Sequence, residues 1–216
     1  MQVEIWSDVI CPWCFIGKRR FELALAEFEH KENVQVIWRS FELDPKSPAI
    51  YPESLEEMLS RKYNVSLQQA SAMNFRVTAL AKEVGLDYHL SAARPGNTFD
   101  AHRLLHFAAS KQMGGQAIER LMQAYFSESL AVGDRTALAQ IAPGFGIAES
   151  HALTLLQSET FGSEVRADEA RAAELGISGV PFFVFDGKTG VSGAQPVALF
   201  AEALQQAWAE PHTAHV

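Results

Sequence analysis

Strand character is confined to the two ends of this chain, and the long stretch between them reads as helix. Val3 to Trp6 is a short β-rich run that stops at the turn-prone Ser7-Asp8, and Val34 to Trp38 is a second. A third run returns abruptly at Val180-Pro181-Phe182-Phe183-Val184-Phe185, and a short fourth near Gly190 to Ser192 completes a hairpin through the turn signal Asp186-Gly187. From about Tyr51 to Leu175 strand signals are nearly absent. Any sheet must therefore join the opening of the chain to its close, with a helical block set between them.

The opening has its own logic. From Cys14 to about His30 the residues Phe21, Leu25 and Phe28 recur at helical spacing, with Ile16 and Leu23 on a second face, which predicts a helix buried on two sides. Strand, helix, strand is the pattern of a parallel βαβ unit with a right-handed crossover. Asp44-Pro45 and Ser47-Pro48 then stop regular structure. In the middle, Ser66 with Gln69 forms a capping box, Met73, Val77, Leu80 and Val84 make one helical face, and Gly85 can end that helix. Further helices are expected at Leu104 to Phe107 and, after Gly114-Gly115, at Ile118, Leu121, Met122 and Tyr125. Asp134 and Ser163 read as N-caps and Gly176 as a C-cap, giving five to seven helices in the block. Pro196 at a first helical position opens a last helix carrying Leu199, Leu204 and Trp208, and the tail after Glu210 is expected to fray. The predicted organisation is an α/β chain in the order βαβ, helical insertion, ββα. Residues 1–48 and 176–216 form one domain in this reading and residues 49–175 the other.

Composition narrows the function. A formal charge of −8 and the lack of clustered Lys and Arg disfavour a nucleic-acid partner, and the short run Lys18-Arg19-Arg20 reads as the solvated face of a helix. No apolar run reaches the length of about 18 residues that a membrane span needs. The N-terminal sequence lacks a basic region and reads at once as a strand and its motif rather than as a signal peptide, so residence in the cytoplasm is the expectation. The chain has two cysteines, three positions apart, and in a compartment where structural disulfides are rare such a pair points to catalysis or redox sensing.

That pair is Cys11-Pro12-Trp13-Cys14, placed where the first strand turns into the first helix. A thiol at a helix N-terminus faces unpaired backbone N–H groups and the positive end of the macrodipole, both of which favour thiolate. Cys11 is thus expected to be the attacking and more exposed sulfur, with Cys14 one turn on, more buried and close enough to close a disulfide. Pro12 has no N–H to lose in the first turn and stiffens it. Trp13 adds no charge, so it would act by shielding and by apolar contact with a substrate. Structural zinc would need a second pair of ligands, which is absent.

With CPWC after the first strand, the order βαβ, helical insertion, ββα resembles the DsbA-like branch of the thioredoxin superfamily. Within that branch SDVICPWCFIGKRRFE, WRSFELDP, NTFDAHRLLHFA and GISGVPFFVF resemble the FrnE-like oxidoreductases over nearly the whole chain. The resemblance implies a cis proline opposite the cysteines at Pro181, with the Val180 backbone pairing with substrate beside a mixed disulfide; from the residues alone Pro181 only heads an apolar strand, where proline is tolerated. It also implies substrate contact from Phe15 and from the block around Asn97, His102 and Arg103. Read by itself that block allows two functions: His102 and Arg103 orient a thiol or carboxylate of the substrate, or Asn97 caps a helix with Asp100 in its first turn and His102 hydrogen-bonds at the helix surface. His102 and His106 are spaced like a zinc pair but lack the intervening Glu of the protease motif, so no metal is expected there.

The reaction so implied is thiol-disulfide exchange, with disulfide-containing or thiol proteins as substrates, glutathione as a candidate redox partner and no bound cofactor. The competing reading is a glutathione-dependent isomerase or transferase of the 2-hydroxychromene-2-carboxylate isomerase and kappa class, which shares the architecture but usually carries serine where Cys11 stands. Some FrnE-like proteins have a second, C-terminal cysteine pair, and this chain has none. The apolar helical insertion suits a homodimer.

Overall fold

The computed structural model describes residues 1–209, so the expected fraying after Glu210 lies outside the described residues. Strand β1 (Gln2–Ser7) leads into α1 (Pro12–Ala26), and β2 (Gln35–Ser40) returns parallel to β1, with Val3 opposite Val36 and Trp6 opposite Arg39. The helical block follows as α2 (Leu55–Tyr63), α3 (Leu67–Glu83), α4 (Phe99–Ser110), α5 (Gly114–Glu128), α6 (Arg135–Ile141), α7 (Glu149–Leu156) and α8 (Gly162–Glu174). The chain then completes the sheet with β3 (Phe182–Phe185) and β4 (Thr189–Ser192) and ends in α9 (Val197–Ala209). The strand order is β2-β1-β3-β4, so β1 is central: β3 runs antiparallel to it, pairing Val3 with Phe185 and Ile5 with Phe183. Asp186 and Gly187 both take positive φ (47° and 68°), and with the Lys188 amide donating to the Phe185 carbonyl (3.0 Å) they form the turn that lets β4 fold back on β3.

Alternation along β1 gives the sheet two unlike faces. Val3 and Ile5 point to the side covered by α1 and α9, where Phe21, Phe183, Phe185 and Phe200 pack; the Phe183 ring lies 5.5 Å from Phe21 and 4.6 Å from Phe200, centroid to centroid. Glu4 and Trp6 point to the side covered by α8. There Glu4 accepts from Arg39 (2.7 and 2.9 Å) and Arg171 (2.8 Å), and the Trp6 indole donates to the Asp168 carbonyl (3.0 Å). The Asp168 carboxylate accepts from Arg39 (3.0 Å) and the Ser40 amide (2.9 Å).

Several local expectations are revised. Helix α1 starts at Pro12 and stops at Ala26, with a 3-10 turn at Lys31–Asn33 before β2. Its first half is buried nearly all round, whereas in its second half Leu23 is exposed, so it does not bury two faces throughout. Lys18-Arg19-Arg20 is not a solvated face: Lys18 is buried and, with Arg19, binds Glu119 of α5, while Arg20 donates to the Ala194 carbonyl. Charge there ties α1 to its neighbours. The Ser66–Gln69 capping box is present and Gly85 (φ 77°) closes off α3, but Met73 turns away from the buried face marked by Val77. Ser163 lies inside α8, whose N-cap is Phe161, and its hydroxyl binds Glu164. Among the described residues no helix is long and apolar enough to cross a membrane.

Candidate active site

The C-terminal end of β1 builds the site. The Cys11 amide donates to the Asp8 carbonyl (3.1 Å), closing a turn that brings Cys11 to the N-cap of α1 with Pro12 at the next position. The Cys11 carbonyl then accepts from the amides of Cys14 (3.0 Å) and Phe15 (3.4 Å), so the two cysteines occupy successive turns of one helix start. Both are free thiols. The Cys11 thiol donates to the carbonyl of Val180 at 3.6 Å, and the Val180–Pro181 peptide is cis. Helix α1 comes this close to Pro181 because position 17 is glycine: a Cβ there would stand 2.9 Å from the proline Cγ. The Tyr88 hydroxyl donates to the Pro12 carbonyl (2.8 Å), and burial, followed by the nearby thiols, pushes its pKa up, keeping it a donor.

The expected contrast in exposure is not what separates the sulfurs. Cys11 is 3% and Cys14 1% exposed, because α2 and α3 roof the helix start. What separates them is the direction each faces. Cys11, Pro12, Trp13 and Val180 line a cavity of about 580 Å³ whose opposite wall is made of apolar side chains from α2 and α3, among them Leu55, Met58, Leu80 and the Met73 that left the core. Cys14 faces away from this chamber into the protein. Burial raises its pKa well above the ordinary 9.0, the hydrogen bond and charge of Cys11 push the same way, and the Ser7 hydroxyl and Asp8 backbone pull back.

The other residues singled out from sequence lie outside the chamber. Phe15 is buried in a stack with Tyr88 (6.2 Å) and Phe126 (5.9 Å) and supports the site from below. Asn97 serves the chain itself: its oxygen accepts from the Phe99 amide (2.9 Å) one residue ahead of the N-cap Thr98, and its amide nitrogen reaches Glu42 (3.3 Å). Arg103 is buried off the chamber, with its guanidinium donating to Asp100 and the carbonyls of Leu155, Ser158 and Thr160. His102 is fully buried, neither at the helix surface nor on the chamber wall, with Nε2 3.4 Å from Asp8 Oδ1. His106 meets Ser40 Oγ and Asp168 Oδ2, each at 3.1 Å, through the same nitrogen, so it cannot relay between acid and hydroxyl as a hydrolase triad requires. Nothing in the sequence marks Tyr88 or Gly17 as site residues, and it marks Asp8 only as part of a turn: an aromatic, a helical glycine and a turn acid carry no spacing signal of their own.

The family of DSBA-like thioredoxin domains matches residues 2–205. The structure is similar to that of a probable DsbA oxidoreductase from Streptomyces coelicolor, 42% identical, with a TM-score of 0.94, over 100% of this chain and 93% of that one. The uncharacterised protein YwbO of Bacillus subtilis is 28% identical over 94% of this chain and 96% of its own length. A 2-hydroxychromene-2-carboxylate isomerase shares the fold at 14% identity, with a TM-score of 0.70 over 95% of each chain.

Proposed function

The chain belongs to the family of DSBA-like thioredoxin domains, and from that premise we propose that it is a thiol-disulfide oxidoreductase of the FrnE-like kind working through Cys11 and Cys14. One observation carries the reading: Cys11 stands at a helix N-terminus, hydrogen-bonded to Val180 and facing a chamber, with a second thiol one turn behind it. The Cys11 thiolate attacks a substrate disulfide, one substrate sulfur leaves as thiolate, and a mixed disulfide remains on Cys11. Cys14 then attacks the Cys11 sulfur and releases the second substrate thiol. The reverse sequence reduces the enzyme. Disulfide-containing or thiol proteins are the substrates in this reading, glutathione is a redox partner, no bound cofactor is needed, and the protein works in the cytoplasm.

The fold shared with the isomerase and the apolar walls of the chamber favour a second reading, glutathione-dependent isomerisation. A dithiol separates the two, because isomerisation does not consume one. Cys14→Ser should accumulate an adduct on Cys11 with substrate or glutathione, seen by mass spectrometry, while Cys11→Ser forms none and loses insulin reduction. An adduct on Cys14 in Cys11→Ser, with none in Cys14→Ser, would reverse the assignment. Isomerisation of a chromene carboxylate with glutathione, surviving in the double serine variant, would favour the second reading.

A further inference from the structure

The chamber in front of Cys11 has the dimensions of a small-molecule site. Cys11 is 3% exposed beneath α2 and α3, and the space it faces is about 580 Å³. Most of the wall is apolar, but the roof adds three nitrogen-bearing side chains, Lys62 of α2 and Asn74 and Arg76 of α3. Asn74 is 8% exposed, and its Nδ2 has no hydrogen-bond partner in the protein. A buried amide N–H left unpaired is costly, so one on the wall of a ligand-sized space points to an acceptor brought in from outside. Lys62 and Arg76 are exposed and make no ion pair among the described residues. The two carboxylates of the lining are held within the protein: Asp8 is buried and accepts from the Leu43 amide (2.8 Å), and Asp44 accepts from the Tyr51 hydroxyl and the Lys46 amide (3.2 Å each). The charge left over on the roof is therefore positive, and apolar walls separate it from the thiol.

We propose that the preferred substrate is a low-molecular-weight disulfide with two apolar halves, each ending in a carboxylate. Its sulfur meets Cys11, its apolar body lies along the chamber, and its carboxylate accepts from the Asn74 amide with Lys62 and Arg76 around it. The proposal rests on the oxidoreductase reading and narrows its substrates. It places such a disulfide ahead of proteins, which the roof keeps from Cys11, and ahead of glutathione disulfide, whose peptide groups and ammonium ions would lose water against an apolar wall. The Cys11 thiolate attacks one substrate sulfur, and the other half leaves with the electron pair of the broken bond. The carboxylate holds the bound half in place until Cys14 attacks Cys11 and displaces it. The protons of Cys11 and Cys14 end on the two released thiols. The dithiol is oxidised, the substrate disulfide is reduced, and no further redox agent is required. Asn74, Lys62 and Arg76 determine which disulfide is taken and play no part in the exchange of bonds.

The test is single-turnover oxidation of the reduced protein, stopped by acid and read by mass spectrometry. The oxidants are the disulfide of mercaptohexanoic acid, the dimethyl ester of that disulfide, glutathione disulfide and insulin. Each rate is divided by that of the same disulfide with dithiothreitol, which removes intrinsic reactivity. The acid should exceed the ester by about tenfold, the gain from one hydrogen bond to a charged group, and should lead glutathione disulfide and insulin as well. In wild type the ratio of acid to ester should shrink with added salt, a reading that needs no variant to fold. The ratio should drop toward unity in Asn74→Leu and in the double variant Lys62→Gln/Arg76→Gln, whose two positions are exposed. A wild-type ratio near unity, a ratio unchanged in both variants, or a faster normalised rate with insulin or glutathione disulfide would overturn the proposal. Failure of wild type to react with any of these disulfides would overturn the oxidoreductase reading and the proposal with it, and is told apart because no bond between Cys11 and Cys14 then forms at all.

Discussion

On the α1 and α9 side of the sheet, Phe21, Phe183, Phe185 and Phe200 close over Val3 and Ile5 with no polar side chain among them. On the α8 side, alternate residues of the same strand, Glu4 and Trp6, sit among carboxylates, guanidinium groups and an indole that are nearly all hydrogen-bonded to one another. Apolar packing is non-directional and holds by the area it removes from water. Ion pairs under a helix yield less net stability, because desolvation consumes much of the attraction, but they accept only one arrangement. The first side therefore supplies the stability that carries α1 and its cysteines, and the second sets where α8 lies on the sheet.

Three changes would break or sharpen that contrast. Phe183→Ala should cost about 3–5 kcal/mol in chemical denaturation, the range for a fully buried aromatic; a loss below about 1 kcal/mol would mean the aromatic side is not the stabilising one. Asp168→Ala should cost less, about 2 kcal/mol, since the Arg39 and His106 it leaves behind can still reach water while the Ser40 amide cannot. A loss equal to that of Phe183→Ala would erase the asymmetry. The smallest effect is one of pH. Burial raises the Glu42 pKa above its ordinary 4.5 although Arg166 opposes it, so the folded protein keeps this proton to higher pH than the unfolded chain does. That contribution to stability is complete below 4.5 and is lost as pH rises through the raised value. Glu42→Gln cannot titrate, so its unfolding midpoint should fall less than that of wild type between the acid side of this window and neutrality. An equal or greater fall would remove Glu42 from the account.

What could be read from sequence follows how local each signal is. The capping box at Ser66 and Gln69, the turn at Asp186-Gly187 and the placement of CPWC between strand and helix are short-range chemistry, and each appears where expected. Ser163 looked like a cap, but a helix start is decided by backbone conformation, and Phe161 takes the left-handed one. Lys18 reads as solvated because a lone lysine carries no notice of Glu119, a hundred residues on, that would pair it in the interior. The site shows the same division. Cys11 and Cys14 are legible from their spacing, whereas the sequence leaves His102 and Arg103 open between substrate contact and a structural role, because a polar motif near a site is chemically indistinguishable from one that braces it. Only the packing of α4 against the end of the sheet shows both turned inward. The chamber itself was illegible, since its wall is made from Met58, Met73 and Leu80, which any amphipathic helix carries.

The pairing of β1 with β3 has a consequence in time. The Gln2 amide binds the Asp186 carboxylate, 184 positions away, and β3 is the only antiparallel neighbour β1 has among the described residues. At ordinary rates of translation the ribosome needs roughly 10–40 s to make that much chain. Through that interval the emerging polypeptide carries Cys11 and Cys14 at the start of an unfinished core, with the Val180 carbonyl not yet made. Any oxidant or disulfide met then reacts with a flexible dithiol rather than with a site. During synthesis the sulfurs depend on their surroundings for protection, and once β3 docks beside β1 the fold takes over that task.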